Sequence, residues 1–192
     1  TLPDRQYFNG FAEVMKHGLI TDAAYYGWLL ENMDGICERD EAVLREMNRR
    51  SCLIKKNVVE KDPHEKGLRA HLNFGHTIGH ALEKASNFTI LHGECVALGA
   101  VAEAFISWQK GYLAMEEYYE IRDMFVPFNL PITVEDIDPD EVLENTKADK
   151  KATGKTVNYV LLKKVGQAFV DGSVTDDEAL AAIKELIWED EA

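Results

Sequence analysis

Cysteine is scarce in this sequence: Cys37, Cys52 and Cys95 are odd in number, widely spaced, and form no CxxC pair. That pattern excludes a disulfide scaffold and leads to the expectation of a reducing compartment, the cytoplasm. Long apolar runs are also lacking. No stretch of ~18 apolar residues occurs, so no membrane partner is expected. The opening Thr1-Leu2-Pro3-Asp4-Arg5 carries neither an initiator Met nor the basic-then-apolar layout of a signal peptide, and a fragment is the expectation it raises. Positive charge is short: 21 Lys+Arg stand against 34 Asp+Glu, a net charge of -13. This balance argues against nucleic acid as a partner, and an anionic ligand would need local cations to draw it in. Finally, there is no internal repeat, no low-complexity run and no βαβ alternation with a Gly-rich phosphate loop, so no nucleotide-binding half is expected within these residues.

What is there is a globular composition, 46% hydrophobic and 29% charged over 192 residues, read as one domain. A chain of this size can form a core without disulfides or structural metal. Helical periodicity dominates. Phe8, Phe11, Met15, Leu19 and then Tyr25, Trp28, Leu29, Met33 predict two short helices, and Asp40 is the predicted N-cap of a long amphipathic helix ending before Pro63. Further helices are predicted over about Leu72 to Ala85, Glu94 to Gln109 and Met115 to Phe125. The period then changes. Residues Val157 to Leu162 and Gln167 to Val170, joined by Lys163-Lys164-Val165-Gly166, predict a hairpin, and Thr175-Asp176-Asp177-Glu178 has capping-box spacing before a last helix. The fold class expected is mainly α: a multi-helix domain with a small β-hairpin near the C-terminus.

The chemistry concentrates in Asn73-Phe74-Gly75-His76-Thr77-Ile78-Gly79-His80-Ala81-Leu82-Glu83. His76 and His80 lie four residues apart on one helical face, but no Glu follows the first His, which removes the HExxH protease reading. Gly75 and Gly79 would each cost up to ~1 kcal/mol in a helix, so a close packing partner is expected there. His92 stands where a loop hands over to a helix opening with Glu94, whose plain role is to complement the helix dipole. Glu13 and Lys16, three apart, form an ordinary solvated ion pair if taken alone. A Glu and two His leave an open position on zinc, as a catalytic site requires, and Glu13, His76 and His92 can form such a set. Lys55, Lys56, Arg69 and Asp149-Lys150-Lys151 would supply a pocket for carboxylate and phosphate if they converge, although Lys56 and Lys151 read better as solvated. Glu65 and Asn73, taken singly, read as ordinary polar surface.

Taken together, residues 10–18 (GFAEVMKHG), 65–80 (EKGLRAHLNFGHTIGH) and His92-Gly93-Glu94 closely resemble dehydroquinate synthase in order and spacing, and Asp149-Lys150-Lys151 with Gly154 before the hairpin is similar to that family's C-terminal segment. The resemblance implies the shikimate-pathway lyase that converts the sugar phosphate DAHP to 3-dehydroquinate with loss of phosphate, using NAD and a divalent metal, zinc or alternatively cobalt. It implies Glu13, His76 and His92 as metal ligands. Lys16, Glu65 and His80 would be catalytic, and Lys55, Arg69, Asn73 and Lys150 (or Lys151) would bind substrate. His80 beside Asn73 and Arg69 would suit the phosphate, since His titrates near neutrality and Arg forks onto oxyanions. NAD would be bound mainly by an N-terminal domain absent from this chain, so residues 1–192 would be the C-terminal metal- and substrate-binding domain, inactive in isolation and homodimeric at full length. The rivals are another sugar phosphate cyclase, a metal-dependent alcohol dehydrogenase-like domain, and a helical interaction module without catalysis.

Overall fold

In the computed structural model, residues 2–64, 67–151 and 156–187 are described, with the side chains of 149–151 outside that description. The N-terminal region holds four helices where periodicity predicts two: α1 (Asp4–Asn9), α2 (Phe11–Thr21), α3 (Ala23–Glu31) and α4 (Met33–Cys37). The two extra breaks fall at Gly10 and Asn32, and at the expected break the Asp22 side chain accepts the Tyr25 N–H to start α3. The long helix α5 (Glu41–Lys61) begins as expected, with the Asp40 side chain accepting from the Val43 N–H.

The helix expected from Leu72 is interrupted. Leu68–Asn73 form a 3₁₀ turn, the chain reverses at Gly75 with φ +77°, and α6 (His76–Ala85) starts at the first histidine. Then come α7 (His92–Gln109), α8 (Met115–Asp123), α9 (Pro139–Lys151), the strands β1 (Tyr159–Lys164) and β2 (Gln167–Asp171), and α10 (Asp176–Glu185). Helix α9 is not among the predicted elements. It is acidic in its first turn and buries little besides Val142, Leu143 and Thr146, so its apolar stripe is too narrow to register as a period. The strands pair antiparallel with Leu161 opposite Phe169, and β1 runs on through Lys163 and Lys164, shortening the expected connection to Val165-Gly166. Gly166 donates its N–H to the Leu19 carbonyl, which seats the hairpin tip against the α2–α3 junction.

Helix α7 is the centre of the molecule, buried from Gly93 to Ala104 and in contact with α2, α6, α8, α10 and β1. Its approach to α6 is set by backbone rather than side chains. A Cβ on Gly79 would lie 2.8 Å from the Cys95 carbonyl oxygen, and one on Gly75 would lie 2.6 Å from that of Val96, while Gly99 packs directly on the Gly75 carbonyl. The close partner expected of the glycines is therefore α7. Three free cysteines agree with the absence of a disulfide framework, and no helix among the described residues is long and apolar enough to cross a membrane.

Two glycines of opposite character test this packing. Gly79→Ala meets backbone that cannot swing aside and should destabilise the fold by about 1–3 kcal/mol in urea titrations. Gly27 sits inside α3 with nothing within 4 Å of its added Cβ, so Gly27→Ala should instead stabilise by ~0.4–1 kcal/mol.

Candidate metal centre and its cleft

The α6–α7 contact places the first residues of both helices side by side, with the His76 and His92 ring centroids 5.5 Å apart. Helix α2 crosses beneath them and presents Glu13. Its Oε1 lies 3.3 Å from His76 Nε2 and 3.9 Å from His92 Nε2, and the three donor atoms fall within 4.8 Å of one another.

The hydrogen bonds behind the rings fix what these atoms are. His76 Nδ1 lies 3.1 Å from the Phe74 carbonyl oxygen, which can only accept, so Nδ1 carries the proton. His92 Nδ1 lies 2.7 Å from Glu83 Oε1, a carboxylate, with the same consequence. In each neutral ring Nε2 is then a lone pair, and both lone pairs face Glu13 Oε1, a buried acceptor with no hydrogen-bond partner. Three acceptors converging without a proton among them repel unless a cation sits between, and histidines backed by a carbonyl and a carboxylate are the arrangement metal sites use. These residues fit a divalent metal.

The second oxygen of Glu13 accepts from Lys16 Nζ at 2.7 Å. Burial opposes the Glu13 charge, but His76, when it carries a second proton, and the Lys16 ammonium outweigh it and hold the carboxyl well below the usual carboxylate range. Lys16 is only 3% exposed, and burial draws its pKa down against the pull of Glu13. The pair read from sequence as solvated is therefore largely buried.

A cleft of about 290 Å³ opens beside the centre, lined by Glu13, Lys16, His17, Lys55, Arg69, Leu72, Asn73 and His76. Lys16, Lys55 and Arg69 thus share the cleft with two of the three candidate ligands, and Asn73 joins it to a second cleft holding His80, Lys84 and Thr146. His80 is exposed at the rim, its ring 5.1 Å from that of His76, and partial burial together with His76 lowers its pKa. Lys56 points away, 3.7 Å from Glu60 on an exposed face. Glu65 and the side chains of Lys150 and Lys151 lie outside the described residues, so neither is placed.

Glu94 does more than complement the helix dipole. It accepts the Leu91 N–H and a two-pronged bond from Arg5 at 2.7 Å, while Asn9 Oδ1 accepts from the Gly93 N–H. Two carboxylates escaped the sequence reading. Glu83 supports His92, and its signal was its position three residues after His80 on the same helix face. Glu103, fully buried in α7, accepts the Gly75 N–H at 2.7 Å, and burial raises its pKa well above the ordinary value. Its signal was to be the single charged residue between Glu94 and Lys110.

The 3-dehydroquinate synthase C-terminal family matches residues 10–152 of the chain. A 3-dehydroquinate synthase of Acetivibrio thermocellus is 39% identical over 183 residues, 95% of this chain and 51% of that protein. One from Nitrosomonas europaea is 41% identical over 169 residues, 88% of this chain and 46% of that protein. The chain spans about half the length of the curated relatives it matches. Among solved structures, ValA, a 2-epi-5-epi-valiolone synthase from Streptomyces hygroscopicus with NAD+ and Zn2+ bound, superposes with a TM-score of 0.87 at 24% identity, over 97% of this chain and 52% of that one. A 2-deoxy-scyllo-inosose synthase complexed with carbaglucose-6-phosphate, NAD+ and Co2+ gives 0.80 at 23%, over 96% and 53%. At these identities the structures show the shared fold.

His17 supplies a pH test on the cleft wall. It is buried, 2.7 Å from Ser51 Oγ, and burial followed by Lys16 lowers its pKa from 6.5 to about 4. Between those values the unfolded chain takes up a proton that the folded one refuses, so His17 lowers stability as pH falls from 6.5 towards 4, by up to about 3 kcal/mol. Glu103, raised, titrates with the opposite sign, so the comparison is wild type against His17→Gln at each pH. Denaturant midpoints should converge at acid pH and separate in favour of wild type towards pH 7.

Proposed function

The chain belongs to the 3-dehydroquinate synthase family, and from that premise we propose that it is the metal- and substrate-holding half of a 3-dehydroquinate synthase, a cytoplasmic lyase of the shikimate pathway that converts DAHP to 3-dehydroquinate with loss of phosphate. The observation that carries this reading is the convergence of Glu13 Oε1, His76 Nε2 and His92 Nε2 as three unprotonated donors beside a cationic cleft. Glu13, His76 and His92 would hold the metal, zinc or cobalt. Three protein ligands leave a coordination position open for substrate hydroxyls. A metal held there would supply Lewis-acid polarisation of a substrate hydroxyl, and NAD would supply reversible hydride transfer.

The chain's own residues bind and orient. Lys55 and Arg69, on α5 and the 3₁₀ turn, face the cleft from one side and offer charge-assisted bonds to a carboxylate or phosphate. Lys16, already bonded to Glu13, places a buried ammonium next to the ligand carboxylate, where it can contact substrate hydroxyls and hold a proton. Asn73 and His80 line the adjoining cleft, and His80 can exchange protons with a leaving phosphate. Glu65 and Lys150 are assigned to the same site by resemblance. The described residues contain no βαβ unit, and NAD is expected from residues outside this chain, with a homodimer as the full-length assembly.

The relatives near 40% identity favour the dehydroquinate reaction over that of another sugar phosphate cyclase. Zinc titration tests the centre: the wild-type chain should take up one ion, and Glu13→Gln should weaken uptake by more than about 100-fold, beyond the range of outer-shell changes. Failure of the wild type to bind zinc would remove the reading. In the enzyme complete with its nucleotide-binding part, Arg69→Ala should weaken substrate binding about tenfold or more with metal content unchanged, since a lost bond to a charged group costs roughly 1.5–3 kcal/mol. Supplied with NAD and substrate, the 192-residue chain alone should show no turnover, because orienting the nicotinamide is worth several kcal/mol.

A further inference from the structure

Helix α6 begins at the candidate ligand His76, and a helix start leaves N–H groups that need acceptors. An ordinary start would supply one from an Asp, Ser or Thr at the preceding position. Here that position is Gly75, and it offers no side-chain cap. No larger residue fits: an added Cβ would lie 2.6 Å from the Val96 carbonyl oxygen and 2.9 Å from the Ala100 nitrogen, and the backbone is left-handed. The packing that brings α6 onto α7 thus removes the means of capping α6 from within its own chain segment.

The acceptor comes from the helix that causes the problem. Glu103 extends from α7 with no exposed surface, and its Oε2 accepts the Gly75 N–H at 2.7 Å. The Thr77 N–H lies near enough to this carboxyl to favour its charge. Between those two amides lies His76. Its Nδ1 is held by the carbonyl of Phe74, the residue that enters this turn. We propose that Glu103 is a positioning residue for the metal centre, fixing the Phe74–Thr77 turn so that the His76 ring keeps its proton on Nδ1 and aims Nε2 at the site.

The Lys16 ammonium acts on Glu103 through space without bonding to it, and the Gly75 amide is its hydrogen-bond partner. The Glu103 Oε1 is buried without a partner, and apart from Ser107, whose hydroxyl bonds to the Glu103 backbone carbonyl, its near neighbours along α7 are apolar. A buried carboxyl with an unmatched oxygen costs free energy, which a plain core position would avoid with Leu or Ala. What it gains is the Gly75 amide at the α6 start. This proposal rests on the metal reading above only for the affinity readout, and its geometric content is separable.

The experiment is a zinc titration of the chain as wild type, Glu103→Gln and Glu103→Leu, with the His76 tautomer read from long-range proton-nitrogen spectra. Gln keeps an acceptor oxygen and should bind zinc within about threefold of wild type, whereas Leu should lose about 10- to 100-fold and show His76 as a mixture of tautomers. Glu103→Leu with zinc affinity and tautomer both as in wild type overturns the proposal. Should that variant fail to fold, amide exchange in the folded wild type and in Glu103→Gln decides: slow exchange at Gly75 in both supports it, and rapid exchange there in wild type overturns it. If the wild-type chain binds no zinc, the metal reading falls, while the His76 tautomer in the variants still judges Glu103.

Discussion

The contact of α6 with α7 at Gly75, Gly79 and Gly99 is the constraint from which the rest of the arrangement follows. Glycine inside or beside helices is unfavourable by up to about 1 kcal/mol each, so three of them represent a real cost offset by close packing along a wholly buried helix. The return is geometric. Side chains of ordinary size would hold the axes apart, and His76 and His92, each the first residue of its helix, would not stand 5.5 Å apart. Two helix N-termini meeting at one place also bring their partial positive charges together, which favours an ionised Glu13 from α2.

Charge is distributed unevenly around this point. On the outer surface the cations are paired with acids: Arg45 with Glu41, Arg49 and Arg50 with Glu46, and Lys147 with Glu144 and Asp176. Such exposed pairs contribute little to stability and mainly maintain solubility. Within the cleft the balance reverses, because Lys16, Lys55 and Arg69 face a single ligand carboxylate. At close range those cations attract an anion more strongly than the surface acids repel it, since the distant charges are screened by salt. An acidic protein can therefore hold a doubly anionic ligand.

How much of this was legible in the sequence depended on whether a signal was local. The Asp40 cap, the Thr175 capping box and the hairpin are written in adjacent residues, and the structure shows each. Periodicity counted the N-terminal helices as two because Phe8 to Leu19 keeps its spacing across Gly10, where only the axis changes. It carried a helix through Leu72 to Ala85 because the apolar pattern does not report that Gly75 is left-handed. Helix α9 escaped because few of its side chains are buried. For the site, residue type allowed Glu13, His76 and His92 as one set and the family resemblance singled them out, but no spacing revealed that Glu83 and Glu103 stand behind them, since both relationships are made by the packing of separate elements.

Three glutamates around the two histidines show how environment sorts one residue type into different tasks. Glu13 meets the Lys16 ammonium and a histidine that can take up a second proton, which together overcome burial and keep it charged, so it can serve a cation. Glu83 is half-buried and takes the His92 Nδ1 proton's hydrogen bond, so it orients a ring rather than approaching the centre itself. Glu103 has no cation in bonding contact, and two backbone amides do not offset its complete burial, so its pKa rises. The order follows solvation and partners, from most compensated to least. A single exchange of position would fail: a glutamate in the Glu103 environment would be a poor metal ligand, because the metal needs the carboxylate form, and a Glu13-like carboxylate in the core would carry an uncompensated charge. The centre is thus built outward from one charged carboxylate, with the other two setting the rings that share it.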